Sequence, residues 1–304
     1  MDLILHIGAP GTDEGRIAAW IRHNQRAFEG AGVAVPDPDG FVADLARARD
    51  TGSGADALAR EEAFLRGQGA SGARRRMVVS APDALLPRAD VLCPEGFCRR
   101  GLDARLDGLR ALFPRTRLTL LLAVRRPSDL VPALLSADGV PEAAHLMPAL
   151  SDETLPWTAL VQAIRARLPG ARLVAWRHED LPRVWPRVLG GMMPAGASLP
   201  TAGLLDLAAA DLGAEARLRL DRYLTRTGPV SAGTLSRLVG VFADRFGHAG
   251  RVRTGYQGDL PDWLARRLGD MDAGYRTEWE DLSNQAGVQA LHPPPAEGVQ
   301  PEFI

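Results

Sequence analysis

Five short apolar runs, separated by stretches with helical patterning, constrain the fold of this chain more than any other feature. They are Leu3 to Ile7, Val33 to Pro36, Met77 to Ser80, Leu118 to Val124 and Ala171 to Trp176. Runs this short and this continuously apolar suit strands buried on both faces. The segment from Arg16 to about Ala31 sets Ile17, Trp20, Ile21, Ala27 and Phe28 on one side of a helix, and Gly32 closes it. Residues 37–76 read as polar helix with a weak centre at Thr51 to Gly54. Leu102 to Phe113 and Trp157 to Leu168 read as helices, and another starts near Ser128, the expected N-cap. Leu204 to Phe246 is helical with short breaks, a last helix runs from about Pro261 to Gln285, and a Pro-rich tail begins at Pro293. Strands alternating with helices imply right-handed crossovers and a parallel sheet covered on both faces. The expected fold is α/β, a three-layer α/β/α sandwich with extra C-terminal helices. It forms one domain over 1–304, with a core at about 1–195, a helical layer at about 200–290 and the tail at 293–304.

Composition narrows the chemistry. The 304 residues include no lysine, so all 36 basic side chains are arginine. A Schiff base, a lysine general base and the lysine of a phosphate-binding loop are therefore excluded. A net charge of −1 provides no global field for nucleic acid or an acidic membrane, so neither is an expected partner. No apolar stretch reaches the roughly 18 residues of a membrane span, and no signal-peptide pattern opens the chain, so the cytoplasm is the expected location. The two cysteines, Cys93 and Cys98, are too few for a structural zinc site, their spacing is not that of a redox pair, and a disulfide between them stays open. No metal site is expected.

Strand, tight turn and helix at the start of the chain make a geometry suited to an anion, because backbone N–H groups converge there. Leu3 to Pro10, the amphipathic helix after them and Gly32-Val33-Ala34-Val35-Pro36 resemble the opening of bacterial sulfotransferase-family proteins. The resemblance implies a fold like that of P-loop nucleoside triphosphate hydrolases. It also implies the donor 3′-phosphoadenosine 5′-phosphosulfate (PAPS), and sulfuryl transfer to an alcohol or amine of a small molecule or glycan. The family's turn reads Gly-x-Pro-Lys-Thr-Gly-Thr-Thr. Here Gly8 and Pro10 match and Thr12 falls on the first threonine. Gly11 stands at the lysine, Asp13 at the middle glycine, and Glu14 and Gly15 at the last two threonines. The resemblance thus assigns Gly8, Pro10, Gly11 and Thr12 to the donor. Loss of the lysine removes several kcal/mol of transition-state stabilisation. Asp13 and Glu14 also suit the first turn of a helix, where they offset its dipole.

The family's 3′-phosphate motif is Arg-x-Pro with a serine eight residues after the arginine. Arg125 and Pro127 match and the serine position is Ala133, with Ser136 one helical turn further on. The family's Ser-x-Glu at the end of a strand appears as Ser80-Ala81-Pro82, with Asp83 next, so Asp83 and His178 are the candidate catalytic bases. His6, inside the first strand, reads as a core residue. Glu179-Asp180-Leu181 begins a helix, and Arg245, in an Asp-Arg-Phe segment like one in relatives, is a candidate nucleotide contact. Three functions follow. One is a sulfotransferase-like protein whose degraded donor site leaves it weakly active or a non-catalytic binding protein. The second is an active sulfotransferase using an arginine in place of the lysine. The third is a P-loop kinase using ATP and Mg²⁺, which lacks the lysine it needs.

Overall fold

A computed structural model describes residues 1–9, 11–49, 56–70, 72, 74–93, 96–97, 99–135, 156–209, 212–228, 230–246 and 260–294. The core is a sheet of six parallel strands. They are β1 (Asp2–His6), β2 (Val33–Ala34), β3 (Arg76–Ser80), β6 (Arg117–Val124), β7 (Arg172–Arg177) and β8 (Val288–Ala290), arranged in the order β2-β3-β1-β6-β7-β8. A small antiparallel hairpin, β4 (Leu92–Cys93) and β5 (Gly96–Phe97), stands apart.

Alternation along each strand builds two apolar layers. Leu3, Leu5, Leu120 and Leu122 face one of them, closed by α3 (Pro38–Arg49), α4 (Ala57–Gly67), α5 (Leu102–Leu112), α6 (Pro127–Leu135), α7 (Pro156–Arg167) and α12 (Asp262–Ser283). Ile4, Leu121, Val174 and Trp176 face the other, closed by α1 (Arg16–His23), α2 (Gln25–Gly30), α8 (Leu181–Met192), α9 (Leu204–Ala208), α10 (Ala214–Thr227) and α11 (Ala232–Phe246). The fold is a three-layer α/β/α sandwich. Among the described residues no helix is long and apolar enough to cross a membrane.

The C-terminal helices divide between the layers. α11 packs on α8, whereas α12 packs on α6 and α7 across the sheet, and the chain then returns to add β8 as an edge strand. Three local expectations need correcting. The helix expected over Arg16 to Ala31 breaks at Asn24, whose buried Nδ2 donates to the carbonyls of Trp20 and Ala202, and Ala27 is exposed rather than part of the apolar side. Ser128 does not cap α6, because the helix already includes Pro127. Asp13 and Glu14 are not in the first turn of α1, which starts at Arg16 and has no acidic residue there.

The order of the strands fixes where a ligand could enter. The chain leaves β1 toward α1 in one layer and leaves β6 toward α6 in the other. Adjacent parallel strands whose connections diverge open a crevice at their C-terminal ends, the usual ligand position in open α/β sheets. Here the crevice lies between the turn after His6 and Arg125.

Candidate functional site

The turn after β1 is wound by unusual backbone. Gly8 has φ 49° and Gly11 φ 72°, and Glu14 (φ 49°) and Gly15 (φ 76°) follow in the same left-handed region. Two left-handed residues in a row keep the turn out of the helix, which begins at Arg16. Residues 12–15, which a helix would present as a converging row of amides, instead form a bend. Within it Asp13 is 2% exposed, and its Oδ2 accepts the N–H of Ile17 at 2.8 Å. The carboxylate takes an amide of the first turn of α1 that an incoming anion would otherwise use.

The pattern recurs at the neighbouring helices. At the start of α6, the Ser128 N–H and Oγ–H both donate to the Asp272 carboxylate of α12, at 3.1 and 2.6 Å. At the start of α7, the Thr158 N–H donates to Glu278 Oε1 at 2.8 Å. Three helix N-termini are thus capped by the chain's own carboxylates, each satisfying an amide and offsetting the dipole.

Arg125 crosses the crevice. It is 1% exposed, and its Nη1 donates to the Gly11 carbonyl at 2.6 Å. Arg88 approaches from the segment after β3, its Nη2 3.7 Å from where a Cβ on Gly11 would sit. Two guanidinium groups therefore flank the position where the resemblance expects a lysine. Beyond Arg125 the charge reverses. Arg126 pairs with Asp129 at 2.9 Å, Arg177 pairs with Asp180 at 2.6 Å, and the Tyr275 hydroxyl donates to Glu179 at 3.3 Å. Asp272 and Glu179 also act on Arg126, so two cations face four carboxylates. Burial pushes the Glu179 carboxyl up, against the pull of Arg126 and Arg177, and burial with Glu179 beside it also raises the Tyr275 phenol.

The sequence-derived candidates separate into those the turn gathers and those it does not. Gly8, Gly11, Thr12 and Arg125 come together. Thr12 is 1% exposed, with no hydrogen-bond partner for Oγ1 among the described residues. Pro10 and Ser136 lie outside the described residues, as does Cys98. Asp83 shares the electrostatic environment of the turn: desolvation raises its carboxyl, Arg88 draws it down, and Asp13 pushes it up. His178, at the end of β7, is 3% exposed in a short turn through Asp180. Arg245 is exposed on the last turn of α11, its guanidinium 5.6 Å from the centroid of the Phe246 ring. Among the described residues no three His, Cys, Asp or Glu side chains gather to hold a metal.

His6 belongs to this end of the sheet. Its Nδ1 shares a hydrogen bond of 2.9 Å with Ser80 Oγ, and its ring stacks on Trp176 with centroids 5.7 Å apart. Burial holds its pKa below the ordinary 6.5, only partly opposed by the Asp13 charge. The sign follows from linkage. Below about pH 6.5 the unfolded chain takes a proton that the folded His6 refuses, so stability is lost as pH falls toward the folded value. Asp83, Glu179 and Glu278, raised by burial, act in the opposite sense at lower pH. A comparison with His6→Gln isolates the histidine: thermal melts should show the wild-type advantage shrinking between pH 7 and pH 5. A constant advantage would contradict the buried, neutral imidazole.

Arg88, Asp272 and Glu278 were not apparent from the sequence, since no motif spacing links them to the turn. No protein-family model, no curated protein and no solved structure matches this chain.

Proposed function

We propose that this chain is a sulfotransferase-like protein that has lost PAPS-dependent transfer and uses the crevice to bind rather than to transform. Its main support is the buried Asp13 carboxylate on the Ile17 amide. A donor with a phosphosulfate would have to displace an anion that is part of the fold. Like charges at 4 Å repel by about 1 kcal/mol in water and about 4 kcal/mol near a protein surface. Capping of α6 and α7 by Asp272 and Glu278 adds to this, and the excess of carboxylates around Arg126 disfavours a 3′-phosphate there. The buried position of His178 also makes it a poor base for an incoming acceptor.

A second reading rests on one observation. Arg125 and Arg88 both reach Gly11, where a lysine would neutralise the leaving group, so an arginine-based donor site would have its cations close by. The two readings part in a transfer assay, in which the full chain is incubated with PAPS and a panel of alcohols and amines and the products are resolved by mass. The expected result is no sulfated product above the no-enzyme blank. Product that disappears in Arg125→Met would establish the second reading and end the first.

A further inference from the structure

The opposite end of the sheet carries a different charge pattern. The first residues of four neighbouring strands share one face: Asp2 is in register with Arg76 and with Arg117, and Thr119 is in register with Arg172. Parallel neighbours in register point the same way, so three arginines line the starting edge of the sheet. Arg187 of α8 comes to the same place from above, and together they border a cavity of about 710 Å³. Ile4, Leu121 and Val174 contribute to its walls.

Two glycines of α8 line this space. The last turn of the helix contains Gly190 and Gly191, where no heavy atom lies within 4 Å of a would-be Cβ. Side chains at these two positions would extend into the space beside the apolar wall, where Ile4, Leu121 and Val174 are themselves largely buried. Among the described residues bordering the cavity Asp2 is the single carboxylate against four guanidinium groups. It is shared by two of them, at 2.7 Å from Arg117 and 3.6 Å from Arg76. Arg172 leans on Gln289 Oε1 at 3.1 Å, and Arg187 and Arg76 donate to the carbonyls of His292 and Met193. These neutral acceptors orient the guanidinium groups without cancelling their charge.

Guanidinium groups recognise oxyanions by paired N–H donors, and pockets of roughly 300–1,000 Å³ suit small organic ligands. We propose that this cavity binds a small organic phosphate: a doubly charged head engaged by Arg76, Arg117, Arg172 and Arg187, with an apolar body against Ile4, Leu121 and Val174. In this arrangement Asp2 is a competitor for the arginines, not a ligand contact. The site lies at the other end of the sheet from the crevice at Gly11 and does not depend on the sulfotransferase-like reading.

Calorimetric titration of the full chain at low salt with inorganic phosphate and with 1-naphthyl phosphate tests it. The expected result is one-to-one binding, with the naphthyl ester tighter than inorganic phosphate by about tenfold or more, as about 1.4 kcal/mol of apolar contact would give. Asp2→Asn should tighten binding by about threefold or more, because it frees two arginines, whereas a merely structural Asp2 would leave affinity unchanged or lower it. The double variant Arg117→Gln with Arg172→Gln should weaken it by about tenfold or more. The Arg117 side chain is 82% exposed, so unfolding is not expected, and a thermal melt checks this. Absence of heat from either probe at about 10 mM, well above the millimolar range in which even weak sites saturate, would overturn the proposal. So would unchanged affinity in the double variant, or an Asp2→Asn variant that binds no better.

Discussion

Replacing Trp176 with alanine will cost the folded state about 3–5 kcal/mol, the usual range for emptying a buried tryptophan site. Trp176 is fully buried in β7, next to β6 in the middle of the sheet, and packs in the layer closed by α1 and α8. Its ring also stacks on His6, so the loss extends to the start of the turn that shapes the crevice. The indole Nε1 has no hydrogen-bond partner among the described residues, a small opposing penalty that alanine relieves. Phenylalanine keeps the stacking and removes the unpaired N–H, so Trp176→Phe should lose less than half as much. Urea unfolding reads both: a lower midpoint with an unchanged slope is the expected signature. Equal losses for the two variants would mean that packing at this position is not what the tryptophan contributes.

Gly8→Ala comes next in size, at about 2–5 kcal/mol, from two causes that add. At φ 49° the backbone is left-handed, which costs a side chain roughly 1–2 kcal/mol. A Cβ there would also lie 2.7 Å from the Pro82 Cβ and 3.0 Å from Thr12 Oγ1, and relieving such overpacking typically costs about 1–3 kcal/mol. Gly15 separates the two causes. Its φ is 76°, but nothing lies within 4 Å of its Cβ position, so Gly15→Ala should lose only the backbone part, about 1–2 kcal/mol. Equal losses at the two positions would show that the packing of the turn on Pro82 carries no weight.

The contrast between these glycines shows what a sequence can reveal of such a site. Strand positions were legible because β1, β3, β6 and β7 are buried on both faces and therefore read as continuous apolar runs. β8 was not. It is a three-residue edge strand, Val288-Gln289-Ala290, none of it fully buried, and it joins the sheet only through pairing with β7. The hairpin at Leu92 and Gly96 escaped for the same reason of length. The break at Asn24 depended on Ala202, a partner far along the chain that no local periodicity can reveal.

The candidate site was legible in outline and not in state. The acids at Asp13 and Glu14 and the missing lysine could be read directly from the turn. Their consequence could not, because it depends on backbone that winds left-handed at Glu14 and Gly15 and so turns Asp13 inward onto Ile17. Arg125 was read from the sequence as a phosphate contact, and the fold adds what no motif could show, that its guanidinium donates to Gly11 across the crevice. Asp272 and Glu278 cap α6 and α7 from a helix more than a hundred residues downstream, through contacts only the fold creates. The common theme is that the acceptors for these helix amides are supplied from inside the chain.

That theme has a direct test in the affinity of the full chain for adenosine 3′,5′-bisphosphate, the product that a working donor site retains after transfer. With Asp13 on the Ile17 amide and acids around Arg126, calorimetric titration should give no saturable heat up to about 1 mM, a binding free energy weaker than about −4 kcal/mol. Saturation in the micromolar range, lost in Arg125→Met, would mean that the crevice accepts this anion and would contradict the proposed loss of the donor site.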